Sequence, residues 1–338
     1  MSGRGWYISL GMVLICLILF WLELSTGVID ASFQDLISAL SGNLTENSSL
    51  QHIILEIRLP RSMTAFWGGM ALSVAGLLLQ TLFRNPLAGP SVLGISSGAI
   101  LGVSLVVLAA GGSLTGWLAG TAVTGGAMAG ALAVTLVLLF VAGRLRDNTS
   151  LLIFGLMLGY LVSAVISVLE VNSGEQALKA FVIWGMGSFS RTSLMDANIL
   201  ALATLASASL LMFFLSQMNG LLLGDANAFS MGISVRRIRL LIILVSSILT
   251  ALVSAYCGPV AFIGLVIPHL ARLCLASSDH RKVLPLSMLM GAAAGLLCDW
   301  LSHSIFGGQL PLNTVTSALG APVVLYLIIR GNQSRILI

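Results

Sequence analysis

RLPRSMTAFWGGMALSVAGLLLQTLFRNPLAGP, running from Arg58 to Pro90, shows in one stretch the pattern that organises the whole chain. Arg58 and Arg61 bracket a leucine and a proline, apolar and small residues then follow without a charge until Arg84, and Pro86 and Pro90 close the segment. An uncharged run of about 20 residues is what a helix needs to cross a hydrocarbon core about 30 Å thick. Proline lacks the N–H that a continuing helix must donate, so the chain turns after Arg84. The stretch is therefore a membrane-spanning helix with arginines at both ends.

The same alternation recurs along the 338 residues, giving expected spans at 6–26, 60–82, 91–110, 117–142, 149–170, 193–217, 238–257, 260–276, 283–303 and 312–329. Hydrophobic residues make up 57% of the chain, charged residues 8%, and the mean hydropathy is +1.04. No soluble globular chain covers that much apolar surface, so the solvent is lipid. The expected fold is an all-α polytopic membrane protein of about ten transmembrane helices, a single domain over residues 1–338. The apolar run behind Arg4 has no small-residue cleavage site and opens a series of further spans, so it is expected to stay as the first helix.

Charge sets the expected orientation. With the N-terminus inside, twelve of the 16 Lys and Arg residues fall on the cytoplasmic side, and only Arg58, Arg61, Lys179 and Arg191 fall outside. This is the positive-inside pattern, and it makes both termini cytoplasmic. The basic residues are scattered between apolar runs, which points away from nucleic acid as a partner despite the +4 formal charge. Cys16, Cys257, Cys274 and Cys298 sit in apolar runs without ligand spacing and are expected to be small buried hydrophobes.

Two longer outer segments, 27–58 and 171–192, are expected to hold short amphipathic helices, with Phe181, Trp184 and Phe189 at the membrane interface. The sequons at Asn43 and Asn47 are short enough to arise by chance. Glycines recur at helical spacing: Gly94/Gly98/Gly102, Gly112/Gly116/Gly120, Gly126/Gly130, Gly155/Gly159 and Gly291/Gly295. Such spacing lets helix backbones approach closely in lipid. Gly89-Pro90 with Gly94 is echoed five spans later by Gly258-Pro259 with Gly264, an odd offset that would invert the second copy.

GPVAFIGLVIPHLAR (Gly258–Arg272), Asp279-His-Arg281 and LPLNTVTSALGAP (Leu310–Pro322), together with the Arg58–Arg61 and Gln80–Pro90 segments, resemble the FecCD-type permeases of bacterial ABC importers for ferric siderophores, haem and cobalamin. The resemblance runs from about Arg58 to Arg330. It implies a type II ABC importer permease with inverted-repeat halves in the bacterial inner membrane. Such a permease pairs with a second copy of itself, with two ATPase subunits inside and with a substrate-binding protein outside. The chain has no phosphate loop of the G-x-x-x-x-G-K-[ST] kind, so ATP and magnesium belong on the ATPase partner. It is expected to be a transport subunit rather than an enzyme, with no cofactor or metal of its own.

The resemblance also implies site residues. Asn85 and Leu87 would narrow the inner mouth, and Thr149 and Ser150 would form a second constriction; ordinary turn and helix-start chemistry is the plainer role for the same residues. The second, fifth and tenth spans would line the pathway. The loop around 218–239 would seat on the ATPase through Gly224, Asp225, Ala226, Ala228, Phe229, Met231 and Gly232. Apolar side chains there are otherwise wasted in solvent, although a helix lying on lipid with Arg236, Arg237 and Arg239 at the headgroups is the alternative.

Arg58 and Arg61 would receive the binding protein. His303 stands one turn after Asp299, where the family commonly carries an arginine, and is expected on the same docking surface. Intramembrane Asp299 and His269 raise a rival reading, a secondary transporter driven by an ion gradient. His269 beside Pro268 also fits a side chain that merely satisfies the backbone near the break. No catalytic constellation is evident.

Overall fold

The computed structural model describes residues 3–27, 31–40, 48–108, 117–145, 147–304 and 310–331. In chain order these form α1 (Gly3–Ser25), α2 (Phe33–Leu40) and α3 (Ser48–His52), which passes through a π-helical turn (Ile53–Arg58) into α4 (Leu59–Phe83). A 3-10 turn (Pro90–Leu93) leads to α5 (Ile95–Val107), α6 (Trp117–Ala142), α7 (Asn148–Val171), α8 (Glu175–Gly185) and α9 (Leu194–Met212). The remainder is α10 (Leu215–Leu222), α11 (Asp225–Ser230), α12 (Val235–Cys257), α13 (Ile263–Leu275), α14 (His280–Ser304) and α15 (Leu312–Gly331). Among the described residues, seven stretches are long and apolar enough to span, and three shorter apolar helices, within α5, α13 and α15, bring the total to the ten expected. The sequons at Asn43 and Asn47 and the glycines at 112 and 116 lie outside the described residues.

The bundle has a protein-packed centre and a lipid-facing shell. In their most apolar windows, the stretch containing α4 is 83% buried, α12 72% and α14 61%, against 22% to 33% for α1, α6, α7 and α9. α4, the second expected span, is thus surrounded by its own chain and offers only its ends. α7 and α15 do present outward faces, including Tyr160, Leu161, Leu325 and Tyr326.

Glycine allows this density. Gly69 of α4 meets Gly291 and Gly295 of α14, Gly98 and Gly102 of α5 meet Gly130 and Gly126 of α6, and Gly76 of α4 meets Gly264 of α13. In each case a Cβ would enter a neighbouring backbone, which is how small residues stand in for the hydrophobic effect in lipid. Gly120, by contrast, has nothing within 4 Å.

The two halves echo one another. A long central helix, a Gly-Pro turn and a 13-residue helix follow in order as α4, Gly89-Pro90, α5 and again as α12, Gly258-Pro259, α13. The expected short helices outside the spans are present as α2, α3 and α8. Phe181, Trp184 and Phe189 are a correction: all three are buried, Phe189 completely, because Gly68 leaves its ring a seat against α4. Cys274 is another, being exposed while the other three cysteines are buried and free.

Candidate functional site

The accessible features of the centre are the two ends of α4. At its C-terminal end Arg84 adopts a left-handed cap (φ 48°), its N–H meeting the carbonyls of Gln80 and Thr81. The Asn85 side-chain oxygen accepts from the Leu87 N–H at 2.9 Å, a local turn that leaves Leu87 exposed. The start of α7 lies against this turn: buried Asn148 donates to the Leu82 carbonyl at 2.7 Å. Asp147 caps α7 by accepting from the Ser150 N–H at 2.8 Å, and the Ser150 donors hold its carboxyl below the usual carboxylate range. Asn85, Leu87, Thr149 and Ser150 are thus carried by two segments tied together through Asn148. The turn role expected for Asn85 and the helix-start role expected for Thr149 and Ser150 coexist with that arrangement.

Beside this end lies the α10–α11 segment. Gly224 (φ 102°) and Gly232 (φ 78°) flank α11 in conformations that other residues rarely adopt. Leu223, Phe229 and Met231 are exposed, Ala226 is exposed with them, and Ala228 is fully buried beneath. Ala228 therefore seats α11 on the bundle while the others present an apolar edge. α10 is held firmly: the Asn219 amide donates to Asp279 at 2.7 Å and its oxygen accepts from the His280 N–H at 2.9 Å. The ring Nε2 of His280 lies 2.7 Å from the Thr81 hydroxyl of α4. Burial opposes ionisation of Asp279, but the donors Asn219 and Arg281 N–H outweigh it and lower its pKa.

A cavity of about 370 Å³ opens between Gln80, Asn85, Asn219, His269 and Arg272. Gln80 donates to the Leu265 carbonyl at 2.8 Å and accepts from Arg272 at 2.6 Å, so α4 and α13 are pinned together at its wall.

The other end of α4 gathers charge. Arg61 grips Asp299 with two bonds, Nε to Oδ2 at 2.6 Å and Nη2 to Oδ1 at 2.9 Å, a planar fork suited to arginine. Arg58 is buried and donates to the carbonyls of Leu24 and Ser25 at 2.8 and 3.3 Å. His303 places Nδ1 2.8 Å from the Asp299 carbonyl and Nε2 3.7 Å from Glu23. Arg58, Arg61 and His303 do converge, but largely turned inward, with 20% of the Arg61 and 14% of the His303 side chain open.

Glu23, Asp299 and His303 bring three ligand-type atoms within 4.8 Å of one another. The Arg61 guanidinium already occupies both Asp299 oxygens, so the cationic place in that cluster is filled.

Several of these residues escaped sequence reasoning. Glu23, a carboxylate in an apolar run, carried a signal that was available. Gln80, an amide inside the expected 60–82 span, carried a similar signal; Asn148 and Asn219 carried none, because an amide near a polar break looks like any turn residue.

Residues 15–330 match the FecCD transport family. The chain is 36% identical over 331 residues to the hemin transport system permease protein HmuU of Yersinia pestis, covering 97% of each chain. It is 37% identical over 282 residues to the vitamin B12 import system permease protein BtuC of Citrobacter koseri, covering 83% of this chain and 84% of that one. A solved structure described as an inward-facing conformation of a metal-chelate type ABC transporter superposes with a TM-score of 0.84 at 27% identity, over 96% of this chain and 99% of that one.

Proposed function

This chain belongs to the FecCD transport family, and from that premise we propose that it is the membrane-spanning permease of an ATP-driven importer for a metal chelate such as haem or a ferric siderophore, or for cobalamin. It works as a homodimer with two ATPase subunits on the cytoplasmic side and a binding protein on the other. Transport is by alternating access. The chain itself holds no cofactor; ATP and magnesium act on the partner.

The observation that carries this reading is the apolar edge of Leu223, Phe229 and Met231, exposed beside the Asn85 and Leu87 turn. Apolar side chains on a short exposed helix between two spans call for a protein partner. Basic residues gather at the same end, Arg281 reaching Ser216 of α10 and Arg84 reaching Asp225 of α11, which favours the cytoplasmic side for it. The opposite end, with Arg58, Arg61 and His303, then receives the binding protein. Arg61 keeps one-fifth of its side chain open at the rim while paired with Asp299, and Arg58 holds the entry to α4 in place. Rim charges of this kind act mainly on association rate.

An ion-gradient mechanism is not favoured, because Asp299 is committed to Arg61 rather than presented to a pathway. The test is uptake into proteoliposomes containing the permease, its ATPase and a loaded binding protein. Uptake is expected to require hydrolysable ATP and to survive collapse of proton and sodium gradients. Uptake driven by a gradient without ATP would overturn the proposal.

A further inference from the structure

The carboxylate of Asp225, the first residue of α11, stands between two arginines that belong to different parts of the bundle. Its Oδ1 is 3.4 Å from Nη2 of Arg84 and its Oδ2 is 3.3 Å from Nη2 of Arg239. Arg84 is the left-handed cap of α4 and the residue immediately before Asn85. Arg239, buried on α12, donates through Nη1 to the Leu145 carbonyl at 2.9 Å, two residues before the Asp147 cap that sets the position of Thr149 and Ser150. One side chain on the exposed segment therefore reaches both constriction segments, each through a single arginine.

We propose that Asp225 is the positioning residue through which a displacement of α11 is passed to both constrictions: through Arg84 to Asn85 and Leu87, and through Arg239 and Leu145 to Thr149 and Ser150. This rests on the reading of α10–α11 as the ATPase-docking element. The link is a connector and not a staple. Both Asp225 and Arg84 are about one-third open, and ion pairs so exposed contribute too little to hold the fold together. What the pair supplies is direction.

The surroundings fit that role. α10 is fixed to α4 and α14 through Asn219, His280 and Thr81, so movement delivered to this segment is taken up at α11, beyond Gly224. A Cβ at Gly224 would stand 3.1 Å from Nη1 of Arg84, so even the hinge lies against the same guanidinium. Coupling between sites needs a physical element that both can bias, and a shared carboxylate between two capped helix ends is such an element.

The experiment uses the full permease with its ATPase in proteoliposomes, with single cysteines at Asn85 and Ser150 in a cysteine-free background, labelled by a polar maleimide with and without vanadate-trapped ATP. Because the resemblance counts Asp225 among the docking residues, ATPase binding and hydrolysis by Asp225→Ala are measured beside uptake. Its uptake should fall at least about tenfold, and the nucleotide-dependent change in labelling should vanish at both positions. Asp225→Glu should restore both. Arg84→Gln should silence the response at Asn85 while sparing that at Ser150, a division that a merely structural role would not produce.

Parent labelling that responds to nucleotide, with Asp225→Ala responding equally and transporting within about twofold, overturns the link alone. Loss of ATPase binding in Asp225→Ala also counts against it, since the residue would then act in docking. If the parent neither binds the ATPase nor responds to nucleotide, the functional reading itself falls and the link with it.

Discussion

Replacing Gly76 with alanine tests the idea that the centre of this bundle is held by backbone contact. An added Cβ would lie 2.5 Å from the Gly264 carbonyl carbon and 2.9 Å from its Cα, where ordinary contact begins at 3.4 Å. The Gly264 carbonyl oxygen is nearer still, and none of these atoms is the movable tip of a side chain, so α4 and α13 must part by clearly more than about 1 Å. Overpacking of that kind costs about 1–3 kcal/mol. One turn further on, separation stretches the bond from Gln80 to the Leu265 carbonyl, now 2.8 Å, a loss of about 0.5–1.5 kcal/mol. Alanine regains about 1 kcal/mol of helix propensity over glycine, leaving a net destabilisation of roughly 0.5–3.5 kcal/mol. Gly11 on α1 is the internal control, since nothing lies within 4 Å of its Cβ position and Gly11→Ala should be neutral or slightly stabilising. Thermal unfolding of the detergent-purified proteins, followed by tryptophan fluorescence and size exclusion, should rank Gly76→Ala below the parent and Gly11→Ala at or above it. If Gly76→Ala unfolds no lower than Gly11→Ala, the close approach of α4 to α13 is not what holds them.

Three further outcomes are expected. Asp299→Ala strands the largely buried Arg61 and should cost about 3–5 kcal/mol, whereas the pair Arg61→Met with Asp299→Leu should recover most of it; a double variant no better than the single one would show that the ion pair is not the source. Asn148→Ala removes the donor to the Leu82 carbonyl and should speed amide exchange across the first turn of α7; unchanged protection there would mean the tie between the two constriction segments lies elsewhere. The pKa of Asp147 is lowered in the folded state, so its cap is fully present above the ordinary carboxylate range and is lost only as pH falls through the lowered value. Protection of the Ser150 amide, corrected for intrinsic exchange, should therefore be flat from pH ~5.5 to ~8 and should drop at every pH in Asp147→Ala. A fall within that window in the parent would contradict the assignment.

Much of the site is local and for that reason legible. Asp147 caps Ser150 across three residues, Asn85 meets Leu87 across two, and Gly224 and Gly232 occupy positive-φ positions around a short helix; each follows from turn and capping chemistry. The apolar side chains of 218–239 stood out because exposed helices between spans have no use for them unless something covers them. Roles that depend on distant partners were hidden. Arg58 and Arg61 looked like free charges at a helix entrance, yet Arg61 closes on a carboxylate 238 residues away and Arg58 on the carbonyls that end α1.

Composition and spacing fix the solvent, the number of spans and the places where helices stop, because an excess of apolar residues, interrupted at helix length by prolines, glycines and charges, has few other solutions in lipid, and the short motifs carry the family. They do not determine which helices form the centre. In water a buried face is apolar and an exposed one polar, but in a bilayer both lipid and neighbouring helices accept the same leucines and valines, so α1 and α12 have similar hydropathy while one is 22% and the other 72% buried. Only the tertiary structure put α4, α12 and α14 inside, set Phe189 against Gly68, and brought Asp225 between Arg84 and Arg239. Close backbone contact and the pairing of a few isolated charges made those choices, and both are properties of surfaces that meet only once the chain has folded.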